Sequence, residues 1–185
     1  MIGVIVNHGT GGSPQSNWFP WLAAELGALG CRVVVPQYPT PEGQRLDNWL
    51  EVFEREAGPC TSKTILVGHS AGAAFMLRVI ERLAAPVKAS FFTAGFARLL
   101  NNPEFDPLIE SFVAEPFNWE RIRQNAGQAV VYHGDNDPYV PLALGQEIAE
   151  ELGAQFVMVP GGGHLNAAFG FTTFDLLLCS IKDTL

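Results

Sequence analysis

Short apolar runs recur along the chain, each bounded by Gly, Pro or Asn and separated from the next by a stretch long enough for a helix. Gly3–Val6, Cys31–Val35, Thr64–Val67, Lys88–Thr93, Gln128–Tyr132 and Gln155–Val159 are continuous in their hydrophobicity and do not alternate. Strands of that kind are buried on both faces, as in a parallel sheet. Between them the spacing turns amphipathic and predicts helices over Trp18–Leu29, Leu46–Phe53, Ala71–Leu83, Leu142–Leu152 and Thr172–Ile181. Strands alternating with helices predict an α/β fold: a mostly parallel sheet of six strands, flanked by helices on both faces through right-handed crossovers.

One connection breaks the rhythm. Residues 95–118 hold Pro103, Pro107 and Pro116 together with Phe96, Phe105, Phe112 and Phe117. That is too long and too often interrupted for a single crossover helix, so the segment is expected to be a small lid or a binding segment, or else a helical excursion that covers the sheet. No repeat, low-complexity tract or linker divides the rest, and 185 residues suit one domain over 1–185 with its own core.

Composition narrows the function classes. Apolar residues make up 48% and charged residues 16%, which is folded rather than disordered chemistry. The formal net charge of −8 disfavours a nucleic acid partner or an anionic membrane surface. No run approaches the roughly 18 apolar residues of a membrane span. Met1–Val6 carries no basic residue and meets Asn7 and His8 too early for a signal peptide. Cys31, Cys60 and Cys179 form neither a metal-type pair nor a disulfide framework, so a cytoplasmic location is expected.

The chemistry gathers at the carboxyl ends of the expected strands. Gly68-His69-Ser70-Ala71-Gly72 follows one strand and opens a helix, the context of a nucleophile elbow. A sharp strand-to-helix turn strains its central residue and crowds the positions two away, hence the glycines. A nucleophilic Ser70 needs a base and a group to orient the base. His164, after Gly161-Gly162-Gly163, is the candidate base, the glycines giving a flexible backbone able to carry the imidazole to Ser70. His8, His69 and His133 are weaker candidates, His133 reading as a packing or hydrogen-bonding residue. The acid is Asp137 or Asp135. The spacing Gly134-x-x-Asp137-x-x-Val140-Pro141 favours Asp137, leaving Asp135 to shape the turn through local side-chain bonds.

An oxyanion formed on this serine would need backbone donors. The N–H groups of Ala71, after the nucleophile, and of Thr10, in His8-Gly9-Thr10-Gly11-Gly12, are the candidates. Reading that loop as a dinucleotide site fails because Gly9-x-Gly11-x-x-Pro14 lacks the third glycine, and no Walker lysine is present. Neither a cofactor nor a metal is expected: His8, His69, His133 and Asp135 have no ligand spacing. Trp18, Phe96, Phe112 and Trp119 are the candidate pocket walls, for a small-molecule acyl substrate.

Assembled, these motifs resemble those of the α/β-hydrolases. With Asn17-Trp18-Phe19-Pro20-Trp21 and Pro116-Phe117-Asn118-Trp119-Glu120, the chain is similar to the small serine hydrolases of the retinoblastoma-binding protein 9 and YdeN family. The resemblance covers nearly the whole chain. It implies a compact α/β-hydrolase sheet, and Ser70, Asp137 and His164 as a triad cleaving small esters or amides through an acyl-enzyme. A thioesterase or peptidase activity falls within the same chemistry. A non-catalytic binding protein on the same fold is the competing reading. The Leu-x-Cys-x-Glu motif behind the retinoblastoma name has no counterpart at Gly58-Pro59-Cys60-Thr61-Ser62, so no such partner is expected.

Overall fold

The computed structural model describes all residues, Met1–Leu185. Six strands run in chain order: β1 (Gly3–Asn7), β2 (Arg32–Val34), β3 (Thr64–His69), β4 (Ala89–Thr93), β5 (Gln128–Gly134) and β6 (Gln155–Val159). They form one sheet in the order β2-β1-β3-β4-β5-β6, every pair parallel. The helices are α1 (Phe19–Ala28), α2 (Leu46–Ala57), α3 (Ala71–Arg82), α4 (Asp106–Val113), α5 (Trp119–Asn125), α6 (Leu142–Leu152) and α7 (Asp175–Lys182).

Although the strands read as continuous apolar runs, their side chains sort by alternation. Ile5, Leu66, Phe92 and Val131 enter the core beneath α2 to α6. Val4, Val6, Ile65, Val67, Phe91 and Val130 enter the core beneath α1 and α7. Both faces of the sheet are therefore covered, and each strand residue has an apolar layer to enter. Helix α3 lies against the middle of the sheet with Ala71 through Ile80 all buried, which its Ala71-Gly72-Ala73-Ala74 start makes sterically feasible.

The strand order reverses at β1. The chain leaves β1 for α1 on one face and leaves β3 for α3 on the other. The loops after β1 and β3 thus part at the carboxyl edge and open a crevice between neighbouring strands, the usual binding position in open α/β sheets.

The irregular connection resolves into two short helices. Pro107 lies in the first turn of α4, Pro116 falls in the gap before α5, and the Asn118 side chain accepts the Arg121 N–H at 3.0 Å to cap α5. At eight and seven residues, these helices are too short to show periodicity against that proline background. Ile109, Phe112 and Val113 pack into the core, while residues 96–109 turn toward the crevice.

Candidate functional site

Ser70 stands at the turn between β3 and α3 with φ 56° and ψ −124°, a region that L-residues avoid. The Ser70 N–H donates to the Thr93 carbonyl at 2.9 Å, so the strained residue hangs from the end of β4. The flanking glycines are sterically required. A Cβ on Gly72 would collide with the carbonyl oxygens of Asn7 and His8, and one on Gly68 would stand 2.7 Å from Ala73 Cα. Gly9 approaches equally closely: a Cβ there would be 2.8 Å from Ser70 Cβ.

His164 and Asp137 are joined at 2.7 Å, Nδ1 to Oδ2. The other carboxylate oxygen of Asp137 accepts the N–H groups of Tyr139 and Val140 at 2.9 and 3.0 Å. Burial pushes the Asp137 carboxyl up, but the hydrogen bond and charge of His164, with the two amides, outweigh it and hold the group below the usual carboxylate range. An ionised Asp137 accepts only, so the His164 proton sits on Nδ1 and the lone pair on Nε2. Such an imidazole can take a proton from a hydroxyl. Ser70 and His164 line one cavity of about 550 Å³ at the carboxyl edge.

The loop that carries His164 is held on every side. Asp135 Oδ1 accepts the Gly161 N–H at 2.8 Å and Asn136 Oδ1 the Gly163 N–H at 2.7 Å. His69 Nε2 donates to the His164 carbonyl at 2.8 Å, and Trp18 Nε1 donates to the Leu165 carbonyl at 2.9 Å. Gly163, at φ 53°, has no room for a side chain because the Phe169 ring fills that space. The expectation of a slack glycine tract is therefore corrected: these glycines fit a pinned turn. Asp135 is corrected as well, since its carboxylate bridges to the neighbouring loop and Asp137 makes the local bonds.

The remaining histidines are neutral structural groups. Burial, with the neighbouring His164 adding to it, lowers the His69 pKa to about 3. Burial also lowers His133 and His8. His133 Nε2 donates to the Val140 carbonyl at 2.9 Å and lies 3.6 Å from Asp137 Oδ2, bracing the acid loop from inside. His8 Nε2 accepts the Tyr38 N–H at 3.1 Å.

The cavity has a mixed lining. Phe96, Leu100, Phe105, Ile109, Tyr139 and Val140 are its apolar part. Thr10, Asn102, Glu104 and Asn166 are polar. Of the four aromatic residues expected as walls, only Phe96 lines it. Trp18 and Phe112 are fully buried in the cores on opposite faces of the sheet, and Trp119, the first residue of α5, packs 5.3 Å from Phe117. Large aromatic side chains were better spent filling helix–sheet interfaces. Thr10 lines the cavity with Ser70, and Ala71 is the first residue of α3, where a helix leaves N–H groups free. The anchoring roles of Trp18, His69, Asn136 and Asp135 escaped the sequence reading. Only the nearness of His69 to Ser70 hinted at one of them.

Six parallel strands in this order, with helices on both faces and a serine at the β3–α3 turn, define an α/β-hydrolase fold. The family model described as serine hydrolase matches residues 4–182, and the chain belongs to that family of hydrolases. It is similar to YdeN of Bacillus subtilis, 28% identical over 94% of this chain and 91% of the relative. It is also similar to the serine hydrolase RBBP9 of Rattus norvegicus, 26% identical over 98% of this chain and 94% of that one. The crystal structure of the B. subtilis ydeN gene product matches with a TM-score of 0.90, covering 100% of this chain and 98% of that one. Esterase PE8 shares the fold at 20% identity and a TM-score of 0.66, covering 100% of this chain and 93% of that one. No helix is long and apolar enough to cross a membrane.

Proposed function

We propose that the chain hydrolyses small carboxylic esters or amides through an acyl-enzyme on Ser70. His164 accepts the serine proton as Ser70 Oγ attacks the acyl carbon, and returns it to the leaving group. Asp137 fixes the imidazole tautomer and stabilises the imidazolium that forms. The Thr10 and Ala71 amides receive the negative charge on the carbonyl oxygen. Water then repeats the sequence to release the acid. The observation that carries this reading is the 2.7 Å Asp137–His164 bond on one cavity with a strained, half-buried Ser70.

The cavity supports a class of substrate. Its apolar lining residues suit an uncharged alkyl or aryl acyl group. Besides His164, Glu104 is its one ionisable charged group, which disfavours an anionic substrate. A fluorophosphonate probe tests the proposal: the wild-type protein is expected to label stoichiometrically and Ser70→Ala not at all. Folded wild-type protein that does not label would leave a binding protein on a hydrolase fold as the better account.

A further inference from the structure

Thr10 is held by side chains that hydrolysis through Ser70 does not itself require. Gln44 Nε2 donates to Thr10 Oγ1 at 2.8 Å. Gln44 Oε1 accepts the Thr40 hydroxyl at 2.6 Å, and Thr40 Oγ1 accepts the Gly11 N–H at 2.7 Å. Gln44 comes from the connection between β2 and α2, yet it is only 4% exposed. Burying an amide on a surface connection is costly unless both its ends are bonded, as they are here.

The chain of bonds has a direction. The Gly11 amide can only donate, so Thr40 Oγ1 receives there and spends its single proton on Gln44 Oε1. The Gln44 amide nitrogen can only donate in turn, so Thr10 Oγ1 accepts. The Thr10 hydroxyl keeps its own proton unspent, on a residue that lines the cavity with Ser70 and His164.

We infer that the Thr10 hydroxyl is a third donor to the oxyanion, beside the backbone N–H groups of Thr10 and Ala71, and that Gln44 is the positioning residue that turns its proton toward the reacting carbonyl. The inference rests on the proposed hydrolysis through Ser70. No proton is transferred in this contact: the hydroxyl donates a hydrogen bond that strengthens as the carbonyl oxygen gains charge and weakens as the carbonyl reforms. Because that charge develops in the transition state, the contribution falls on kcat and not on KM.

Thr10→Val keeps the backbone amide and the side-chain shape but removes the hydroxyl. On p-nitrophenyl butyrate its kcat is expected to fall by roughly 10- to 100-fold, less than the full loss of a main donor, with little change in KM. An alkylboronic acid, whose adduct places an oxygen in the same site, should bind more weakly in proportion. Thr10→Ser should restore the greater part of the loss. Gln44→Met should lower kcat in the same sense, and the double variant should be no slower than Thr10→Val alone, because both changes remove one contact.

A Thr10→Val enzyme with wild-type kcat, a Thr10→Ser enzyme as slow as Thr10→Val, or additive losses in the double variant would each overturn the inference. Should Gln44→Met fail to fold, the valine-to-serine contrast decides alone. A wild-type rate that survives Ser70→Ala removes the reading of hydrolysis through Ser70, a result distinct from a Ser70-dependent enzyme that is indifferent to the Thr10 hydroxyl.

Discussion

The loop bearing His164 and the wall formed by residues 96–109 face each other across one cavity, yet they are held by opposite means. The His164 loop is tied to distant parts of the chain: to Asp135 and Asn136 after β5, to His69 after β3, and to Asn17 and Trp18 before α1. The wall is tied mostly to itself. Asp106 accepts the N–H groups of Leu100 and Asn102 at 2.8 and 3.0 Å, and the Asn102 side chain accepts that of Glu104 at 2.9 Å. Its one outward ion pair, Arg98–Glu147 at 2.8 Å, is exposed and contributes little. A group that moves a proton needs a fixed position to a fraction of an ångström, which long-range anchors on a packed sheet supply. A wall that only excludes water and fits an acyl group can be built locally and changed cheaply.

The comparison is sharpest at the two aspartates of one turn. Asp137→Asn removes the charge and the acceptor that fix the His164 tautomer, and turnover should fall by roughly 10⁴-fold with folding intact. Asp135→Asn keeps an Oδ1 able to accept the Gly161 N–H, so the loop stays pinned and turnover should fall only several-fold. Steady-state rates on an activated ester, with thermal melts as the folding control, decide the matter. Equal losses would mean that anchoring the loop matters as much as orienting the imidazole.

On the wall the expected effect is smaller and of another kind. Phe105 stacks edge-on to Tyr139 at 5.9 Å, and Tyr139 stands 5.1 Å from the His164 ring, so these two aromatic rings connect the wall to the imidazole. Phe105→Ala should enlarge the cavity and shift kcat/KM toward longer acyl chains by roughly 10-fold, the scale of a methylene or two in an apolar pocket. A series of p-nitrophenyl esters from acetate to octanoate reads this out. A uniform loss across the series, with no change of preference, would place Phe105 with the anchored side and not with the wall.

These two regions also differ in how far they could be read from the amino-acid order. The six strands, Ser70 in its glycine frame, and the candidates Asp137 and His164 are marked by local patterns: buried β runs, a strand–turn–helix pentapeptide, a spaced acid before Val140-Pro141. What escaped is what depends on pairing across the chain. Trp18 reaches Leu165 over 147 positions and His69 reaches His164 over 95, and no local periodicity encodes either contact. The same blindness sent Trp18, Phe112 and Trp119 to the pocket, since an aromatic residue beside a loop reads alike whether it faces a cavity or a core. In the 95–118 segment the prolines marked the breaks correctly but hid α4, whose eight residues leave little room for a pattern.

The smallest effect is one of stability against pH, and of the two facing regions it belongs to the anchored one. His69, lowered to about 3 mainly by burial, stays neutral in the fold while the unfolded chain takes up a proton near pH 6.5. His8 and His133 are lowered in the same direction. Below pH 6.5 the unfolded state therefore binds more protons than the native one, and stability falls with falling pH. Asp137, also lowered, adds its own loss only at lower pH, as the carboxylate is finally protonated. Above about pH 7.5 none of these groups changes the balance. His69→Gln can preserve a donor to the His164 carbonyl without a titrating ring. Its urea midpoints, followed from pH 7 down to pH 4.5, should decline less steeply than those of the wild type, whereas Phe105→Ala should keep the wild-type slope. An unchanged slope in His69→Gln would show that the ring is protonated within the fold, and that the His164 loop yields to acid before the sheet does.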